Sequence, residues 1–195
     1  MKKKLPAVAL DFDGSSSSKK KVIPAKTCYN ATMLTRLAKI ALIASIAFLM
    51  TLVALNNVTD YDSNFQFVRH VMSMDTTFPE NRLMWRAIIS PVWHHIFYLF
   101  IIVWEASAAG CCWIGAFACF RARKEPATTF HQAKDFAAAG LSLVLLQFTV
   151  AFLSVGAEWF LMWQSPQWNG QAAAFRMIGV TGIVLIFVSL PDTDY

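Results

Sequence analysis

Four stretches of this sequence run for about twenty residues or more with one charge or none, and that spacing limits what the chain can become. Between Lys39 and Asp60 lie twenty uncharged residues, matching the ~20 a helix needs to cross the hydrocarbon core of a bilayer. The second stretch runs from Pro91 to about Phe120 and is broken only by Glu105. The third, Phe136–Trp163, contains only Glu158, and the fourth, Ala172–Leu190, only Arg176. Charged residues make up 15% of the chain, against roughly 25% in soluble domains, and they cluster between these runs. The sequence therefore predicts an all-α integral membrane four-helix bundle with spans at about 37–58, 91–120, 136–163 and 172–190.

The segments between the spans set the expected topology. Residues 1–33 hold Met-Lys-Lys-Lys, Asp-Phe-Asp-Gly, four serines and Lys19–Lys21. They lack an apolar h-region, and two aspartates without an arginine do not suit a mitochondrial transit peptide. A flexible, lysine-rich cytoplasmic tail against anionic headgroups is expected there, followed by a single membrane domain over 34–195. Nine basic residues lie before or in the first turn of the first span, three follow it, four follow the second and one follows the third. The positive-inside rule then puts both termini and the 121–135 loop in the cytoplasm. Trp85, Trp93, Trp159, Trp163 and Trp168 fall at the opposite boundary, as an aromatic belt would. This use of basic charge also accounts for the net charge of +5 without a nucleic-acid partner.

Local signals refine the connections. In the first external loop, residues 59–89, Phe65, Val68 and Met72 recur at helical spacing, as do Phe67, Val71 and Met74. A short amphipathic interfacial helix is expected, capped by Asp62 or Ser63. Ser90-Pro91 reads as an N-cap with proline at N1, and Thr129-Phe-His-Gln132 fits a capping box. The small residues Ala106–Gly110 allow a neighbouring helix to come close. Asn57-Val58-Thr59 matches a glycosylation sequon but abuts the membrane.

Candidate chemistry centres on intramembrane ionisable groups, because a charge at the bilayer centre costs at least ~2.5–3.5 kcal/mol. Glu105 lies eleven residues past His94, about 16 Å deep. Counting back from Trp163 puts Glu158 about 7–8 Å inside the boundary, level with Arg176, and Arg86 stands just above the second span. Glu105, Glu158, Arg176 and Arg86 thus form a candidate polar cluster, with a Glu158–Arg176 ion pair the first expectation. His70, Met72, Met74 and Asp75 are weak metal candidates, better read as interfacial packing. No histidine pair is placed to hold a haem, the cysteines read as small hydrophobes, and no phosphate loop, nucleophile elbow or zinc spacing is present. No catalytic residue and no cofactor is expected.

The strings Asn56-Asn57 with Asp60-Tyr61, His70-Val-Met-Ser-Met-Asp75, Trp85-Arg-Ala87 and Glu158-Trp-Phe-Leu-Met-Trp-Gln-Ser165 with Trp168-Asn-Gly170 resemble those of bacterial predicted small integral membrane proteins grouped as a domain of unknown function. The likeness covers roughly residues 34–191. It implies a four-span bacterial inner-membrane protein, with the mitochondrial inner membrane as the alternative site, and brings no activity, cofactor or catalytic residue. The expected role is a non-catalytic accessory or structural subunit with a protein partner in the membrane. The alternative is a small transporter or ion conductor using Glu105 and Glu158.

Overall fold

The structure, a computed structural model, describes residues 25–194, with side chains from Thr32 onward. The lysines expected at lipid headgroups, Lys2–Lys4 and Lys19–Lys21, lie outside the described residues. Six α-helices account for most of the chain: α1 Ala25–Thr59, α2 Tyr61–Ser73, α3 Pro91–Ala122, α4 Ala127–Gln132, α5 Asp135–Leu146 and α6 Gln171–Ser189. From Gln147 to Trp159 the third span continues as a π-helix. Four helical segments are long and apolar enough to cross a membrane: Thr32–Thr59, Pro91–Ala122, Ala127–Trp159 and Gln171–Ser189.

The spans pack in chain order, α1 on α3, α3 on α5, α5 on α6, and α6 back on α1. Sequential spans are antiparallel neighbours, and the ring closes as an up-down bundle. Its core is built largely from small side chains, including Ala47, Ala108, Cys112, Ala116, Cys119, Ala137 and Ala174. In lipid there is no hydrophobic drive to bring helices together, so close backbone approach and dispersion must hold them. The α3–α5 seam shows how close they come. A methyl on Gly115 would overlap the backbone N and Cα of Ala137, and one on Gly140 would lie 2.6 Å from Cys112 Sγ and 2.7 Å from its backbone N.

Several local expectations are corrected. α1 starts at Ala25, well before Leu37. Neither Asp62 nor Ser63 caps α2; Asp60 holds the N-cap position without a side-chain bond, and Asp62 accepts from Gln66 instead. Pro91 does occupy the first turn of α3. Thr129 is no N-cap, because α4 already begins at Ala127, whose free N–H is taken by Asp194 Oδ1 at 2.6 Å. A cap from the far end of the chain cannot be found in a local motif.

The third span ends at Trp159, four residues earlier than its apolar run. Its final turns are π-wound, with Ser154 Oγ donating to the Thr149 carbonyl and Phe160 N–H to Val155 O. The chain then turns at Leu161, which adopts φ 54°. Met74, just past α2, has the same φ of 54°. A left-handed non-glycine residue costs about 1–2 kcal/mol, and both side chains offset this by entering one cluster with Val71, Met72, Ala157 and Met162. This cluster closes one end of the bundle. Trp85 packs edge-on against Trp159 there, and Phe78 against Trp163.

The α3–α5 seam gives a direct test. Gly115→Ala should lower the thermal midpoint of the purified protein by the equivalent of about 1–3 kcal/mol. Gly179→Ala, where the added methyl meets no neighbouring element within 4 Å, should leave it unchanged or raise it by the equivalent of up to about 1 kcal/mol. Equal midpoints for the two variants would mean that the seam is looser than described.

Candidate functional site

Glu105 projects from α3 into the core and is 3% exposed. Asn57 Nδ2, from the last turn of α1, donates to Glu105 Oε2 at 2.6 Å. Gln147 Nε2, at the start of the π segment, donates to Oε1 at 2.8 Å. Three spans thus meet on one carboxyl. Tyr98, one face of α3 above it, donates to the Asn57 carbonyl at 3.2 Å. Trp104 N–H reaches the Leu143 carbonyl of α5 at 2.9 Å. Two buried oxygens nearby or deeper in the bundle, Gln147 Oε1 and Thr181 Oγ1, have no hydrogen-bond partner. Because its side-chain amide is committed to Glu105 and it is 6% exposed, Asn57 does not present the sequon for modification.

A second polar site gathers at the end where Arg36, the α3–α4 turn and the C-terminal segment meet. Asp192 bridges two lysines, with Lys39 Nζ at 2.9 Å and Lys134 Nζ at 2.6 Å. The lysines also donate to backbone carbonyls that α6 leaves open, Lys39 to Leu190 O at 2.7 Å and Lys134 to Val188 O at 2.9 Å. Cations suit a helix C-terminus on dipole grounds as well. Arg36 Nη1 donates to Arg123 O and Glu125 O, at 3.1 and 2.6 Å, and Nη2 donates to Thr193 O at 3.3 Å. Burial alone would raise the Asp192 carboxyl, but the bonds and charges of Lys134 and Lys39 outweigh it and hold the group below the ordinary aspartate value.

The polar cluster expected from the sequence does not assemble. Glu158 and Arg176 are both exposed, and among the described residues no ion pair joins them. With the third span ending at Trp159, Glu158 sits in its last turn and not 7–8 Å inside. Arg86 turns elsewhere, stacking its guanidinium over Trp159 at 4.6 Å and Trp85 at 5.3 Å. The four weak metal candidates also part company. Met72 and Met74 are 4% and 1% exposed, packed in the end cluster. His70 pairs with Asp75 at 2.8 Å and stacks on Trp168 at 4.7 Å. Among the described residues, no group of three or more metal-ligating side chains is assembled.

The sequence reading missed the Lys39–Asp192–Lys134 triad, having treated these lysines as loop charges. A signal was available: Lys39 and Asp192 each stand within a few residues of a long apolar run.

Residues 35–191 match the family described as predicted small integral membrane protein (DUF2165). The chain belongs to this family. It is an integral membrane protein with four candidate spans, in agreement with the resemblance read from its sequence. No curated protein and no solved structure matches the chain.

The triad carries a pH dependence of definite sign. Because the folded carboxyl is held low, its contribution is fully present above the ordinary aspartate value of 3.8 and fades as pH falls through the lowered folded value. Asp192→Asn should destabilise by roughly 3 kcal/mol at neutral pH, and should flatten the acid limb of the stability profile below about pH 4. Thermal unfolding across pH 3–7 checks both.

Proposed function

We propose that this protein is a non-catalytic, multi-pass subunit of the bacterial inner membrane that packs against a larger membrane assembly. The observation that carries the reading is that no charged side chain follows Glu105 on the core face of α3. From there toward the lysine triad, the α3 core face runs Ala108, Ala109, Cys112, Ala116 and Cys119, sealed where Gly115 and Gly140 let α3 and α5 meet backbone to backbone. A substrate or proton would find no carboxylate, imidazole or amine along that face. Glu105 then acts as glue between three helices, a use for which interhelical bonds contribute on average about 0.6 kcal/mol each and at most ~1.7.

In this reading both termini are cytoplasmic and α2 lies in the outer interface. The positive-inside excess supports the orientation. Burial of Arg36, Lys39 and Lys134 does not weaken it, because charge acts on topology during insertion, before the bundle closes. The triad's far partner, Asp192, comes last in the chain and neutralises those lysines only after the fourth span is in place.

Copurification from the native membrane in mild detergent should recover a stoichiometric partner and a native-gel band larger than the free protein. Recovery of free protein alone across several detergents would overturn the proposal. A transporter reading draws on one observation, the orphaned Gln147 oxygen beside a buried carboxyl. It predicts a proton or cation flux in proteoliposomes that Glu105→Gln abolishes. On the structural reading, wild-type vesicles match empty ones and Glu105→Gln remains folded, since the new amide accepts from Asn57 and donates to Gln147 Oε1 once that amide turns over.

A further inference from the structure

At the tryptophan end, the surface between α2 and the start of α3 opens into a recess of about 300 Å³. Its wall is pre-formed. The Phe65 and His95 rings stack with centroids 4.1 Å apart and planes 8° from parallel. Tyr61 hydroxyl holds His95 Nδ1 at 2.8 Å, and buried His94 donates from Nε2 to the Ile88 carbonyl at 2.6 Å.

Two opposite charges, Arg69 and Asp75, line this one recess without forming an ion pair with each other among the described residues. His70 stands between them. Its Nδ1 lies 3.0 and 2.8 Å from the two oxygens of Asp75, and its Nε2 3.5 Å from Arg69 Nη2. The first is a full hydrogen bond, whereas the second is at the limit of contact. Arg69 therefore keeps most of its five donors unused. Asp75, with its side chain 43% exposed, keeps carboxylate lone pairs free for another donor. A ligand complementary to the recess carries an anion for Arg69 and an N–H-bearing cation for Asp75.

The surroundings say where such a ligand comes from. Ile89, which lines the recess, and its neighbours Val92 and Trp93 at the entry to α3 are 78%, 65% and 52% exposed, and Trp85 in the preceding loop is 70% exposed. Tryptophans of this kind mark the headgroup level of a bilayer, and the apolar residues continue from it along the helix toward the hydrocarbon. We propose that the recess binds the phosphoethanolamine headgroup of an aminophospholipid. Arg69 takes the phosphate in a charge-assisted pair, Asp75 takes the primary ammonium, and the acyl chains lie along Ile89 and Val92. A trimethylated ammonium has no N–H to give Asp75, and a glycerol headgroup has no cation, so the site discriminates between headgroups.

The test uses the full chain in detergent, with lipid binding read by native mass spectrometry and by the shift in thermal midpoint. Phosphatidylethanolamine, phosphatidylcholine and phosphatidylglycerol of identical acyl chains are compared, together with soluble glycerophosphoethanolamine. Phosphatidylethanolamine should bind about tenfold or more tightly than the other two, the loss expected for one charged hydrogen bond. Asp75→Asn should abolish that preference, and Arg69→Gln should weaken all three lipids. Both side chains lie at the surface, and lipid-free midpoints near that of the wild type will confirm that the variants fold. Equal binding of the three lipids, or a preference that survives Asp75→Asn, overturns the proposal. Soluble glycerophosphoethanolamine binding as tightly as the lipid overturns the lipid as its source. The outcome is independent of whether the protein has a larger assembly as partner.

Discussion

A carboxyl group buried between helices has no water to bond, and the rest of this bundle is arranged around meeting that need at Glu105. Its two oxygens take one amide from α1 and one from the third span. This fixes the rotation of three helices about their axes at one height. Dispersion between alanines and glycines is short-ranged but tolerant of sliding, since one small side chain fits a groove much as another does. The polar node supplies the register that small-residue packing lacks, and the backbone contacts at Gly115 and Gly140 supply the closeness.

The two ends of the bundle obey the same rule with different groups. At one end α6 stops with open carbonyls at Val188 and Leu190, and buried lysines from two other spans satisfy them while pairing with Asp192. The C-terminal segment continues across that end, where Asp194 caps α4 and Thr193 receives Arg36. A few polar residues after the last span thereby tie it to the first and third, and Arg36 extends the link to the turn after the second. At the other end aromatic rings and methionines cover the helix tips. Arg69, Glu158 and Arg176 stay exposed, so this is the end with unspent charge.

The large features were legible because each rests on a sum over many residues. The helices, the four spans and the helix between the first two follow from apolar run length and periodicity, which no single contact can reverse. The burial of Glu105 was legible as depth along α3. Its partners were not, because Asn57 and Gln147 are uncharged and carry no sequence signature; only helix rotation brings them to the carboxyl. The Glu158–Arg176 expectation failed for a related reason. It assumed that the third span keeps α-helical rise to Trp163, whereas π winding and the left-handed turn at Leu161 end it at Trp159 and leave Glu158 facing outward.

The sequence by itself determined that this chain lies in a membrane, how many times it can cross, and which ends share basic charge. Those properties depend on hydrophobic length and composition, which are additive along the chain. Only the tertiary structure decided which polar groups find one another: Asn57 and Gln147 on Glu105, Lys39 and Lys134 on Asp192, and Arg69 opposite Asp75 across a recess. Such pairings depend on how each helix is turned toward its neighbours, and a few degrees of winding can make or break them.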